Sequence, residues 1–351
     1  MRALVYDAFG ATPRVTDLPD PIAPPGGAVV RVTATGLCRS DWHGWSGHDP
    51  DIATFPHTPG HELAGVVESV GAGVDSGWVG RAVTAPFVLA CGDCPTCAAG
   101  DGQVCPHQRQ PGFTDPGSFA ERVVVHAAET NLVALPDDVP ATAAAGLGCR
   151  VATAHRAVVA RGRVGADDTV VVFGCGGVGL AAIQVAVGRG ARVCGVDLDP
   201  GSRALARALG AEVVLDGALP EADLVAAVAD WSGGGAHVSV DAVGSPETCR
   251  TGVLALRRRG RHVQVGLLPP VAGRPDVPMD RVIGWELDVL GSHGMAAADY
   301  PGLLADVAAG RLDLGALVAP GGPVGLEEAG RMLVAMGDTA SRGMQLVDPS
   351  R

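Results

Sequence analysis

The chain has 351 residues, enough for about two domains of ordinary size, and its 47% hydrophobic content is usual for a globular protein. A formal net charge of −12 argues against nucleic acid or an anionic membrane as a partner. All 26 basic residues are arginine, so Schiff-base lysine chemistry is excluded.

Up to about residue 150 the chain reads as mostly β. Short apolar runs at 2–6, 28–33, 63–70, 81–85 and 119–125 are separated by Pro and Gly punctuation, such as Pro24-Pro25-Gly26-Gly27. Many short strands with glycine-rich turns predict a Greek-key-like or barrel-like domain. Near Ala143 the pattern changes to strands alternating with helices. Residues 169–173 and 192–196 read as strands, each followed by a helix, at 178–188 and at 201–209, the second stopped by Gly210. Further strands are expected at 212–215, 237–240 and 262–265. Between the last two, Ser245 is a helix N-cap, Pro246 the first helical position and Gly260 lies past the end. Arg257, Arg258, Arg259 and Arg261 then read as a helix C-terminus favoured by the macrodipole. Such alternation predicts a parallel, doubly wound sheet, giving an α/β fold with a β-rich second domain. After about Gly291 the pattern loosens, and Leu346-Val347 fits a strand returning to the first domain.

The N-terminus lacks a basic start followed by an apolar core, so no secretory signal is expected. Residues 169–188 carry no charge and approach membrane-span length. Their valine run, glycine cluster and alanine-rich run read instead as a buried strand, turn and helix. A reduced, cytoplasmic protein is the expectation.

Three groups of residues carry chemistry. Gly174-Cys175-Gly176-Gly177-Val178-Gly179 follows a predicted strand and opens a helix, the setting in which such a loop binds a dinucleotide pyrophosphate. Val178 has no polar role there and is placed to pack on the nicotinamide. Asp197 ends the next strand, where a carboxylate accepts from ribose hydroxyls and repels a 2′-phosphate, favouring NAD over NADP. A plain turn residue is the alternative for Asp197, and Arg203 is near enough to meet a phosphate. Cys91, Cys94, Cys97 and Cys105 are dense enough for a closed structural zinc site, with an iron–sulfur cluster as the alternative. Cys38, His61 and Cys149 form a scattered triple that fits a catalytic zinc with an open position. On residue type alone, core packing accounts for them equally well.

Cys38-Arg39-Ser40-Asp41, Gly60-His61-Glu62, the four-cysteine run, Gly148-Cys149 and the glycine loop stand in one order and spacing. Together they resemble the zinc-dependent alcohol dehydrogenases of the medium-chain dehydrogenase/reductase family over essentially the whole chain. The resemblance implies a GroES-like catalytic domain with two zinc sites, over 1–150 and 293–351, and a Rossmann NAD-binding domain over 151–292. It implies that Cys38, His61 and Cys149 hold the catalytic zinc, that Glu62 can approach the metal, and that Asp41 orients the ligand histidine. Ser40 and His43 would carry the alcohol proton to solvent, histidine being suited by a pKa near working pH. Arg39 and Arg342 would meet the coenzyme pyrophosphate, Thr153 would lie beside the nicotinamide, and Phe87 would wall the substrate pocket. Trp42 and Trp45 either narrow that pocket or pack under a loop. The implied reaction interconverts a primary or secondary alcohol and an aldehyde or ketone by hydride transfer to NAD. The implied assembly is a homo-oligomer, a tetramer or dimer. A biosynthetic carbonyl reductase or polyol dehydrogenase is the alternative, although polyol enzymes of the family place a glutamate near the position of Cys149. A non-catalytic dinucleotide-binding protein is a third reading, but it would need neither the ligand set nor Ser40.

Overall fold

The computed structural model describes residues 1–268, 273–337, 339 and 342–351. The first part of the chain folds into strands β1 (Arg2–Val5), β2 (Arg14–Asp17), β3 (Ala28–Leu37), β4 (Glu62–Val70), β5 (Ala82–Thr84), β6 (Arg122–Val125) and β7 (Val133–Ala134). The second part supplies β8 (Thr169–Phe173), β9 (Arg192–Asp197), β10 (Val213–Asp216), β11 (Ala236–Asp241), β12 (Leu256–Gln264) and β13 (Asp288–Gly291), and β14 (Gln345–Val347) lies near the C-terminus.

β3 is the spine of an antiparallel sheet in the order β14-β3-β4-β5-β7, with β6 also paired to β3. Its first half pairs with both β4 and β6, and its last three residues pair with β14. Val30, Val32, Leu63, Val67, Val83 and Val123 fill the core beneath this sheet. The return of β14 onto β3 follows the expectation for Leu346-Val347.

The second sheet is wholly parallel, in the order β10-β9-β8-β11-β12-β13. β8 reads TVVVF and every residue is buried. Val170 and Val172 face one core, with the helix Gly177–Gly188, while Val171 and Phe173 face the other. Burial on both faces explains why the strand is a continuous β-branched run and does not alternate. β8 and β9 run one way in the order and β11 and β12 the other, so the sheet reverses beside β8. The crevice beyond the carboxyl ends of such strands is where open α/β sheets bind ligands.

The helix capped by Ser245 spans Pro246–Leu254 and ends well short of Gly260. Arg257, Arg258, Arg259 and Arg261 lie in β12, which shifts register against β11 between Ala236 and Val238. Their charges are met by tertiary partners and not by a helix end: Arg258 stacks on Trp285, Arg259 pairs with Glu286 and Arg261 with Asp168. The run at 119–125 also forms a shorter strand than expected, Arg122–Val125. Gly210 stands one residue past the Leu209 cap with φ +106°, a conformation that favours glycine. Among the described residues no helix is long and apolar enough to cross a membrane.

Candidate active site

β3 ends at Leu37, and Cys38 follows as N-cap of the helix Arg39–Trp45. His61 immediately precedes β4, and Cys149 is the N-cap of the helix Arg150–Arg156. The three side chains are buried, and their donor atoms all lie within 4.8 Å of one another. His61 Nδ1 lies 2.8 Å from Asp41 Oδ1 and donates to it. That leaves a lone pair on Nε2, which is buried without a hydrogen-bond partner. Such an orphan is costly. A metal shared with the two thiols satisfies it, and a carboxylate on the opposite ring nitrogen is the usual orienting arrangement. Asp41 is itself fixed by the backbone N–H groups of Cys38 at 2.8 Å and Gly60 at 3.1 Å. A hydrogen bond from Cys149, acting against burial, holds the Cys38 thiol well below the usual range, as a metal ligand requires.

Glu62 is not part of this triple. Its carboxylate is buried and held by Arg150, through the backbone N–H at 2.8 Å, Nε at 3.0 and 2.9 Å, and Nη2. Arg150 escaped the sequence reasoning, although a lone charge inside the apolar run 143–154 is a visible signal. Its side chain also reaches under the coenzyme loop: a Cβ on Gly177 would meet Arg150 Cδ at 2.5 Å.

Ser40, His43, Phe87, Thr153 and Val178 line a cavity of about 340 Å³ together with the three candidate ligands. The Phe87 ring meets His61 edge-on at 6.0 Å. Thr153 Oγ1 is buried and unpartnered. Burial first, then His48 and Arg39, push the His43 imidazole down to about 4, so the ring is neutral at working pH. That differs from the ordinary histidine value assumed from sequence. Trp42 and Trp45 are half-buried and pack against the core cluster that contains Leu37 and Phe119, and Trp45 donates to Ala11 O at 2.7 Å.

A larger cavity of about 840 Å³ runs along the carboxyl ends of the parallel strands. Cys38, Arg39, Val178, Ala242 and Val243 line both cavities. The glycines have separate reasons. Gly174 has φ +86°. A Cβ on Gly179 would lie 1.7 Å from Gly174 O, whereas one on Gly176 would meet nothing within 4 Å. Gly176 therefore leaves the backbone open to a close-lying ligand at the N-terminus of the helix Gly177–Gly188, where exposed N–H groups favour a pyrophosphate. Asp197 lines the cavity and accepts from Cys175 N–H at 2.6 Å and Asp199 N–H at 2.8 Å. Arg203 is occupied with the carbonyls of Asp197 and Leu198 and with Asp216. Arg342 pairs with Asp199 at 3.2 Å. Arg39 stacks over Trp42, 4.7 Å from the ring centroid, and donates to Met336 O.

Cys91, Cys94, Cys97 and Cys105 form a second group of donors. Their sulfurs are separated by 3.5 Å (Cys94–Cys97, Cys91–Cys105), 3.8 Å (Cys94–Cys105) and 3.9 Å (Cys91–Cys97). A tetrahedron of thiolates about 2.3 Å from a zinc has edges of about 3.8 Å. Backbone N–H groups of Cys91, Cys97 and His107 point at these sulfurs, which suits thiolates. All nine cysteines are free.

Comparison with known proteins agrees with this geometry. An alcohol dehydrogenase GroES-like domain matches residues 24–137, and a zinc-binding dehydrogenase domain matches residues 177–309. An alcohol dehydrogenase of Geobacillus stearothermophilus is 33% identical over 77% of this chain and 78% of its own. A sorbitol dehydrogenase of Halalkalibacterium halodurans is 32% identical over 86% of each. The crystal structure of an NAD-dependent alcohol dehydrogenase superposes with a TM-score of 0.85 at 29% identity, covering 99% of both chains. The chain belongs to the zinc-type alcohol dehydrogenases of the medium-chain dehydrogenase/reductase family, with a GroES-like domain and a Rossmann-type parallel sheet.

Proposed function

We propose that the chain is a zinc-dependent, NAD-linked oxidoreductase that interconverts a primary or secondary alcohol and an aldehyde or ketone. The observation that carries this reading is the unpartnered His61 Nε2, set between two thiols on the wall of a cavity that shares residues with the glycine-loop cleft. Cys38, His61 and Cys149 hold the catalytic zinc and the four remaining clustered cysteines a structural one. Bound there, zinc supplies the Lewis acidity that brings an alcohol's pKa toward neutrality, and NAD supplies the hydride acceptor.

The chain's own residues do the rest. Asp41 fixes the tautomer and direction of His61. Ser40 and His43 are three apart on one helix, so they share a face and line the cavity together. They accept the hydroxyl proton in turn and move it outward. Phe87 and Phe113 line the cavity and keep water from the reacting carbon. Asp197 receives the adenosine ribose, which selects NAD. Arg39 lines the same cavity as the glycine loop and would meet the pyrophosphate, and Val178 and Thr153, which line the smaller cavity, would contact the nicotinamide.

The two sheets support a catalytic unit of 1–150 and 293–351 and a coenzyme unit of 151–292. The helix Met279–Trp285 buries none of its residues and exposes Met279 and Ile283, and Val289 of the edge strand β13 is exposed as well. That face supports a homo-oligomer, a dimer or a tetramer. Nine free cysteines support a cytoplasmic location. A polyol is the second substrate reading, favoured by Asp49, Asp51 and Gln110 on the cavity wall.

The test is NADH formation over a panel of alcohols and polyols, and NADH consumption over carbonyl compounds, with NADP in parallel and zinc measured. Zinc-loaded protein that turns over none of them overturns the reading.

A further inference from the structure

Beyond the relay of Ser40 and His43, a second histidine closes the path to the surface. The helix Arg39–Trp45 ends on Ser46. Gly47 follows with φ +78°, its N–H bonding to Gly44 O at 3.1 Å, and the N–H of His48 returns to His43 O at 2.9 Å. This pair of bonds is a Schellman motif, and it brings the residue two past the cap against the one three before it, a contact normally apolar. Here both positions are histidine. Nδ1 of His43 and Nδ1 of His48 stand 3.1 Å apart, with ring centroids at 5.4 Å. Trp42 lies edge-on to both rings, at 5.0 and 5.5 Å. His43 lines the substrate cavity, whereas His48 stands off its wall, and both are half-buried.

We propose that His48 is the outward member of a two-histidine proton exit, taking from His43 the proton that leaves the alcohol. The inference rests on the alcohol-oxidation reading above. The neutral pair holds one proton between the Nδ1 atoms, donated by His43. When His43 gains a proton at Nε2, its Nδ1 proton passes to Nδ1 of His48, and His48 releases its Nε2 proton to water. No charge is left on either ring. His43 ends as the opposite tautomer and resets by exchange with solvent, or by the same transfers in reverse during carbonyl reduction. Two imidazolium ions this close repel, so the pair carries one positive charge at most. The His43 pKa is depressed chiefly by burial, then by His48 and Arg39, against a raising effect of the Cys38 thiol. Asp49 follows His48 in the chain and lines the cavity mouth.

The test combines ring nitrogen NMR with a pH profile. In the wild-type protein, without coenzyme or substrate, the two Nδ1 nitrogens are expected to share one hydrogen-bonded proton; two independent rings overturn the proposal. His48→Gln leaves Gly47 and its turn in place and removes the ring that accepts from His43 Nδ1. Alcohol oxidation by this variant is expected to fall about tenfold at the acid end of the profile, to converge with wild type at alkaline pH, and to recover on adding imidazole. A uniform loss at all pH without rescue marks a merely structural residue and overturns the proposal, as does an unchanged profile. His48→Asn serves as a second variant with the same expectations. Wild-type protein that oxidises no alcohol overturns the underlying reading instead, and the NMR result still decides the pairing.

Discussion

Replacing Arg150 by methionine strands a carboxylate in the interior. Glu62 is 0% exposed and Arg150 4% exposed in their side chains, and three of the four hydrogen bonds that Arg150 gives Glu62 come from the guanidinium. Removing one partner of a buried ion pair costs about 3–5 kcal/mol. The backbone N–H of residue 150 still serves Glu62 Oε1, which places Arg150→Met near the lower end, about 3 kcal/mol at neutral pH. The double variant Glu62→Gln/Arg150→Met removes the charge with its partner and is expected to lose only about 1 kcal/mol. The sign of the pH dependence follows from Glu62. Burial raises its pKa in the folded wild type against the lowering effect of Arg150. Without Arg150 the folded value rises further, so the folded state holds a proton that the unfolded chain has already released. Stability then falls as pH rises through that window. The deficit of Arg150→Met relative to wild type should therefore shrink as pH drops from about 7 toward the ordinary carboxylate range, about 4–5. Urea denaturation followed by tryptophan fluorescence reads all three quantities. A loss under about 1 kcal/mol, a double variant weaker than the single one, or a deficit that grows in acid would refute the buried pairing.

The remaining predictions concern the two ligand sites. Gly179→Ala places a Cβ 1.7 Å from Gly174 O and should abolish NAD binding while both zinc sites stay filled, as titration calorimetry and metal analysis can show. Gly176→Ala meets no protein atom within 4 Å, so the fold should be unaffected and only NAD affinity should drop; an unchanged affinity would move the pyrophosphate elsewhere. Cys105→Ser should lose one of the two zinc ions and melt at lower temperature, and retention of both would reject the four-sulfur site. Asp197→Ala removes a charge from the adenosine end of the cleft, and the ratio of NAD to NADP turnover should move toward NADP by about tenfold, the worth of one charge-assisted hydrogen bond. An unmoved ratio would show that selection lies elsewhere.

What could be read from sequence and what could not divide along physical lines. Ligands grouped by short spacing were legible, because four thiols within fifteen residues must fold back on one another to be useful. The glycine loop was legible because each glycine answers a local demand: the φ of Gly174, the contact of Gly179 and the openness at Gly176. Cys149 was grouped with Cys38 and His61 by residue type, but core packing stayed an equal reading until the resemblance was added, since nothing local ties it to Cys38. Arg150 was missed because its partner Glu62 lies 88 residues away and the pair exists only in the fold. His48 was missed although Gly47 is a local helix-stop signal, and reading the Schellman turn would have paired it with His43. The depressed pKa of His43 is a consequence of burial, which residue type does not disclose. The arginines at 257–259 and 261 were assigned to a helix end because a basic run before a strand satisfies the macrodipole; the observed partners, Trp285 of Arg258, Glu286 of Arg259 and Asp168 of Arg261, are all tertiary.

The central claim is that His61 Nε2, Cys38 and Cys149 hold the zinc that makes the chain an alcohol dehydrogenase. Its most direct measurement is zinc content and NAD-linked alcohol oxidation determined together on wild type and on Cys38→Ser. Two zinc ions per chain are expected in the wild type, one in the variant, and turnover only in the wild type. Undiminished turnover in Cys38→Ser, or a variant that still holds both ions, would contradict it.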